Sequence, residues 1–409
     1  MQTFKFLHQN SRFLSFGFLM AFLSSFGQTY VFGAYKVNMM ADLGLSNSEF
    51  GFWYLLITIG SAVGLNFLGG HIDHMPLKKW TLRLVVCMII TLFLLYFSPF
   101  FSLTILALIF IRLIGQGLFV HTSTTSMSRY FLTGRGKALS IAMLGIPLGQ
   151  ALLPYLATLT QQAMSWQQSW LLIGVGFLTL SIPLTMFFLK DHDKRHECWV
   201  EATTTSNSEQ EETAQHKRRR DVIKDYRFYL LIPNFLAIPF WVTAVFFFAS
   251  DIALIKNISM ADFTSLYVFN GVSAILAPFI MGSLVDKYGG KPFLLLAAPI
   301  LSIALLICIY MQSLTGAGIF FFVLGFSMGV SIPVNNSVWA ELYGTRYLGE
   351  IKALSVSIVV LSTALSPWLI GLFLEMQMSI ITILWAGVIH SLLAIPLLIP
   401  VMRSDAHKA

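Results

Sequence analysis

Arg112 is the residue in this chain with the clearest chemistry to perform. It lies in the stretch ALIFIRLIGQGLF at 107–119, inside an apolar run long enough to cross a bilayer. A guanidinium at the centre of a membrane costs at least about 2.5–3.5 kcal/mol on insertion scales, so such a group faces a protein interior or a water-filled cavity. The acidic residues cluster in loops and in a polar interval, with Asp251 and Glu375 near outer span ends, so no carboxylate inside the apolar runs answers the charge. Backbone carbonyls, Gln116 one turn on, water or a visiting anion remain as partners. The planar donor fork of Arg matches a carboxylate or phosphate and binds it strongly where the dielectric is low. A structural role, bonding carbonyls across helices of one half, is the competing reading.

Other polar residues join it as candidates. The first apolar run carries Ser24, Ser25, Gln28, Thr29 and Tyr30. Small hydroxylated residues bring membrane helices together, so the serines are expected in packing and Gln28 and Tyr30 beside the pathway. Asn234, Asn270 and Asn336 are pathway candidates in later runs. Pro233, Asn234 and Pro239 are expected to interrupt the seventh run, and Pro333, Asn335 and Asn336 the tenth. Irregular backbone at membrane depth is tolerated only where it is buried in protein or lines a cavity. His121 and His390 titrate near neutrality when unperturbed, which makes them candidate proton carriers beside Glu49 and Asp251. His71, Asp73 and His74 have the residue types of a zinc site, but no further ligand cluster accompanies them, and no metal is expected. GRGK at 134–137 lacks the longer phosphate-loop spacing, so neither nucleotide hydrolysis nor a cofactor is implied.

The elements that hold these residues follow from composition. The 409 residues are 56% hydrophobic and 11% charged, far from the roughly half-apolar, quarter-charged soluble average. This is an integral membrane protein. The net charge of +7 does not point to nucleic acid, because the basic residues sit in short segments between apolar spans rather than on one face. Three cysteines, Cys87, Cys198 and Cys308, have no metal or redox spacing.

Hydropathy spacing places a first span ending at 35, then spans at 50–68, 80–97, 103–123, 138–159 and 170–189. A polar interval with TTTSNSEQEE follows and cannot build a core. Six more spans are expected at 228–250, 263–284, 292–311, 317–338, 351–372 and 380–401. The expected fold is all-α, with twelve transmembrane helices in two pseudo-symmetric six-helix bundles, 1–189 and 226–409, joined by a cytoplasmic linker at 190–225. With both termini cytoplasmic, the outer loops hold only Lys36 and Lys256, while the inner segments hold Lys5, Arg12, Lys78, Lys79, Arg129, Arg135, Lys137, the linker cluster, Lys287, Lys291, Arg346, Lys352, Arg403 and Lys408, as the positive-inside rule requires.

The chain also repeats itself. Gly69, Asp73, Lys78 and Lys79 follow the second span, and Gly282, Asp286 and Lys291 follow the eighth. GRGKALS from Gly134 matches GEIKALS from Gly349 at nearly the same offset, which points to two related halves.

At these residues the chain resembles the major facilitator superfamily over nearly its whole length. The family loop reads Gly-x-x-x-Asp-x-x-Gly-basic-basic; here Pro76 replaces the second glycine and one residue is added before Lys78 and Lys79. RLIGQG in the fourth span and GIPLGQ in the fifth are similar to the family's Arg-Gly and Gly-Pro patterns in a shifted register. The small-loop layout resembles the branch of prokaryotic monocarboxylate and oxalate/formate carriers. The resemblance implies a loop latch on the inner side, with Asp73 and Asp286 as carboxylates and Arg129 and Arg346 as partners. Helix capping with topology charge is the plainer account of both acids.

The expected function is secondary active transport of a small organic anion by alternating access, with a proton or other ion as coupling partner. The chain is expected to be a monomer in the bilayer, in a bacterial inner membrane. Carriage of amphipathic compounds or of a metal chelate such as a siderophore is the alternative. A non-transporting sensor or a membrane-embedded enzyme would need an output domain or a converging catalytic set, and neither is present in the sequence.

Overall fold

The computed structural model describes residues 2–131, 134–190, 192, 196, 218–344 and 347–403. Twelve helices are long and apolar enough to cross a membrane: α1 Phe6–Leu43, α2 Asn47–Asp73, α3 Leu77–Tyr96, α4 Phe101–Tyr130, α5 Arg135–Ala163, α6 Trp166–Phe188, α7 Tyr226–Phe247, α8 Met260–Tyr288, α9 Lys291–Tyr310, α10 Leu314–Tyr343, α11 Glu350–Glu375 and α12 Ile380–Met402. Among the described residues there is no strand. In hydrocarbon every backbone N–H and C=O must be met internally, which leaves the helix as the solution for apolar runs of this length. Of the expected linker, 197–217 lies outside the described residues, while Arg219–Lys224 forms a short helix.

The chain divides into two compact units, one of 1–39 with 56–211 and one of 40–55 with 212–409. The division passes through α2. Its first residues pack within the second unit, where a Cβ on Gly51 would lie 2.6 Å from the Pro367 carbonyl oxygen and one on Gly371 2.6 Å from that of Asn47. Glu375 completes this contact by accepting from the Ser48 N–H at 3.1 Å and its hydroxyl at 2.6 Å.

Backbone irregularity falls where the sequence did not place it. α7 and α10 run unbroken through Pro233, Pro239 and Pro333. Prolines persist in membrane helices when neighbouring groups satisfy the backbone around them. The carbonyls these prolines leave open belong to Tyr229, Phe235 and Gly329, and the Ser366 hydroxyl on α11 donates to a different one, the Phe240 carbonyl, at 2.8 Å. The second unit is interrupted near span starts, at Leu266 in α8 and at 294–296 in α9, and the first unit carries breaks of another kind. Ser24–Gly27 is a 3₁₀ turn inside α1, after which Gln28 is extended and the helix restarts. Leu113–Phe119 in α4 and Phe177–Ser181 in α6 are π-helical, a widened geometry that recurs at functional sites.

Small residues set the closest approaches, since lipid tails give helices no hydrophobic reason to associate and packing must do it. A Cβ on Gly325 of α10 would meet the Asn270 carbonyl oxygen of α8 at 2.3 Å, and one on Gly329 would meet Ala277 Cβ at 2.7 Å. The motif glycines behave differently. Gly282 faces open space and a Cβ on Gly69 would find His121 only at 3.7 Å, so their recurrence has no steric basis in this conformation.

Candidate functional site

The two irregular segments meet. A Cβ on Gly27 would lie 2.6 Å from the Gln116 backbone nitrogen and 2.7 Å from the Ile111 carbonyl oxygen, and one on Gly115 would lie 2.7 Å from Gly27 Cα. Only glycine at both positions lets the 3₁₀ turn of α1 touch the π segment of α4 backbone to backbone. α5 joins through Gly145, whose Cβ would strike the Phe18 carbonyl oxygen at 2.4 Å, and through Gly149, which leaves the space that Ser25 fills.

Arg112 is the last residue before the π segment and is 1% exposed. Its Nη1 donates to the Gly27 carbonyl at 3.3 Å. The acidic residues of the twelve spans, from Asp42 on α1 to Glu375 on α11, all stand in the first or last turn of a span. Tyr30 is buried at 6% exposure and its side chain faces that of Ser25. Gln28 and Gln116 flank the break, both half-buried. Gln150 on α5, 4% exposed and next to Gly149, is a buried polar neighbour that the sequence reading missed. Arg112 thus bonds the break in α1 itself, with Gln28 and Gln116 on the two segments that meet there.

The other candidates lie apart from it. Asn270 donates Nδ2 to the Phe321 carbonyl at 3.2 Å and sits in the α8–α10 seam. Asn234 is buried at 5% exposure on α7, with no partner for Oδ1. Asn336 is exposed. Arg129 forms an ion pair with Asp73 and donates Nη1 to the Ile72 carbonyl at 3.4 Å, so both expected latch partners of the first unit are together. Asp286 is exposed, and Arg346 lies outside the described residues.

In the second unit a different carboxylate organises the repeated loop. Glu341 of α10 accepts from the Gly290 N–H at 2.5 Å, the Lys291 N–H at 3.3 Å and the Ser337 hydroxyl at 2.5 Å. Gly289 before it has φ +78°, which a side chain would oppose. Glu341→Gln should keep the Ser337 bond and weaken the two backbone ones, at about 1–3 kcal/mol for bonds to a charged group. Faster amide hydrogen exchange confined to 289–291 would register it.

Of the two lysines assigned to outer loops, Lys256 is in the turn between α7 and α8, whereas Lys36 is in a helix. Lys36 lies within α1 at 2% exposure, and Lys256 is 7% exposed with Nζ donating to the Ile309 carbonyl at 2.6 Å near the end of α9. A cation at a helix C-terminus meets the negative end of its dipole. His121 hydrogen-bonds the Gly69 carbonyl at 3.1 Å, and Glu49 is spent on a reciprocal cap with Ser46 at the start of α2.

The profile described as Major Facilitator Superfamily matches residues 17–367. The chain belongs to that family. It is therefore a multi-pass membrane transporter, and the family points away from an enzyme. The chain is 23% identical over 319 residues, 76% of its length and 75% of the relative's, to an uncharacterized MFS-type transporter, YcxA, of Bacillus subtilis (strain 168). Its fold is similar to that of a bacterial homolog of the human lysosomal transporter Spinster, in an inward-facing and unoccupied conformation. That match has TM-score 0.69 and 14% identity, covering 96% of this chain and 97% of the other. The D-xylose-proton symporter is equally similar at TM-score 0.69 and 16% identity, covering 95% and 97%.

Proposed function

We propose that this family member is a secondary active transporter of a small organic anion, and that Arg112 is the group that binds the anion. The observation that carries the reading is a guanidinium 1% exposed at the junction of the α1 break and the α4 π segment, in spans whose acids all stand at helix ends. An anion arriving from water meets the guanidinium reversibly, and a charge-assisted bond formed in low dielectric repays its desolvation. Gln28, Tyr30 and Gln116 offer the neutral hydrogen bonds that set shape. Asn234, Asn270 and Asn336 are secondary candidates on the second half.

Alternating access about that site would be performed by bundles 1–189 and 226–409 with 190–225 as cytoplasmic linker, by a monomer in a bacterial inner membrane, its termini on the cytoplasmic side and an ion gradient, a proton among the choices, as the driving force. The Asp73–Arg129 pair serves as inner latch in this scheme. Its side chains are 56% and 17% exposed, so the pair is worth about 0.2–1 kcal/mol. Asp73→Asn should accordingly slow uptake about two- to fivefold while membrane insertion stays unchanged. Unaltered uptake by a fully inserted Asp73→Asn protein would remove the latch from the mechanism.

The test of the central proposal is uptake into proteoliposomes of labelled monocarboxylates, dicarboxylates and sugar phosphates, alongside a neutral sugar and an organic cation, with and without an imposed proton gradient. Accumulation confined to anions is expected. Accumulation of the cation or the neutral sugar alone would end the anion assignment.

A further inference from the structure

The second unit contains a histidine engaged in a way that only its neutral form allows. His390 stands in the middle of α12, half-buried. Its Nδ1 accepts from Trp241 Nε1 of α7 at 2.9 Å. An indole N–H can only donate, so Nδ1 must present a lone pair. The proton of the neutral ring is thereby placed on Nε2, and one imidazole ties α12 to α7.

We propose that His390 is a proton-binding site whose neutral ring clasps α7 to α12 and whose protonation opens the clasp. A proton added at Nδ1 converts the acceptor into a donor and sets two N–H groups against each other across the same short gap. The Trp241 bond cannot survive that. The indole cannot simply turn away either, because it is 6% exposed and rests on Gly387, one turn before His390. A Cβ there would meet Trp241 Cδ2 at 2.9 Å and Leu305 Cδ1 at 2.7 Å. Release of the proton-laden ring therefore shifts a side chain that is seated on the backbone of α12.

The elements packed against α12 are α7, α9 and α11. Their titratable and charged groups are Tyr226, Arg227 and Tyr229 on α7, with Asp225 just before it; Lys291, Cys308 and Tyr310 on α9; and Glu350, Lys352 and Glu375 on α11. All stand in the first or last turns of their helices, and Arg403 follows the end of α12 itself. None faces His390 from mid-helix, so the charge this ring exchanges is a proton from water rather than a neighbouring side chain's.

The test is tryptophan fluorescence of the purified full chain, titrated from about pH 8 to pH 4.5, a window that brackets the ordinary histidine range. A protonated imidazole quenches an adjoining indole. The expected result is a single-proton transition in the natural protein that is lost in Trp241→Phe and in His390→Gln. The glutamine amide can accept from the indole, but it does not titrate in this range. A natural-protein signal independent of pH, or a transition that persists in His390→Gln, would overturn the proposal. If His390→Gln does not fold, the spectrum of Trp241→Phe subtracted from that of the natural protein isolates Trp241, and a pH-independent difference overturns it equally. The readout involves no substrate, so failure here leaves the anion assignment standing, and failure of that assignment leaves this one standing.

Discussion

Arg112→Lys is expected to lower anion uptake about ten- to a hundredfold, although the positive charge remains. A hydrogen bond to a charged group is worth about 1.5–3 kcal/mol, and each 1.36 kcal/mol is about a factor of ten in rate. Lysine keeps a point charge but gives up the planar pair of donors, so it cannot hold the Gly27 carbonyl and grip a carboxylate at once. Arg112→Gln should fall further because nothing attracts the anion. The structural reading of Arg112 predicts something else: loss of the bond to Gly27 would lower thermal stability, and uptake would fall only in proportion to the folded fraction. Measuring the melting temperature beside initial uptake rates separates the two. Uptake that tracks folded protein alone would return Arg112 to a purely structural role.

The second large effect concerns Gly27. Gly27→Val is expected to destabilise the first unit by about 1–3 kcal/mol or more, the cost of overpacking a closed contact. The atoms it would strike are the Gln116 nitrogen and the Ile111 carbonyl oxygen, both backbone, which cannot rotate aside as a side-chain tip can. Gly176→Ala is the control. A Cβ there has nothing within 4 Å, and replacing a helical glycine by alanine gains roughly 0.5–1 kcal/mol. Detergent melting curves should therefore move in opposite directions for the two variants. Equal melting temperatures would mean that the α1–α4 contact is not fixed.

Much of this architecture was legible in the sequence because bilayer physics writes itself into composition. Twelve apolar runs of the right length, separated by basic or polar segments, leave little choice of fold. Arg112 stood out for the same reason, a cation where lipid forbids one. The Gly27–Gly115 contact was not legible, since each glycine taken singly reads as a weak helix residue and only the three-dimensional approach gives it meaning. Proline misled in the opposite direction. Its missing N–H announces a break in α7, whereas the helix runs whole through both Pro233 and Pro239. Glu341 was passed over because the repeat drew attention to Asp286, the residue that matches Asp73 in register but not in what the structure shows it bonding.

The order in which the partners of two buried cations are made has a consequence for biosynthesis. A growing chain emerges N-terminus first, at about 5–20 residues per second. The acceptor of Arg112 lies 85 residues ahead of it, so when α4 reaches the translocon the Gly27 carbonyl is already there to receive the guanidinium. Lys256 meets the reverse situation, because Ile309 is synthesised 53 residues after it. For several seconds of translation that ammonium has no such acceptor, and the segment between α7 and α8 can seat it only once α9 has arrived.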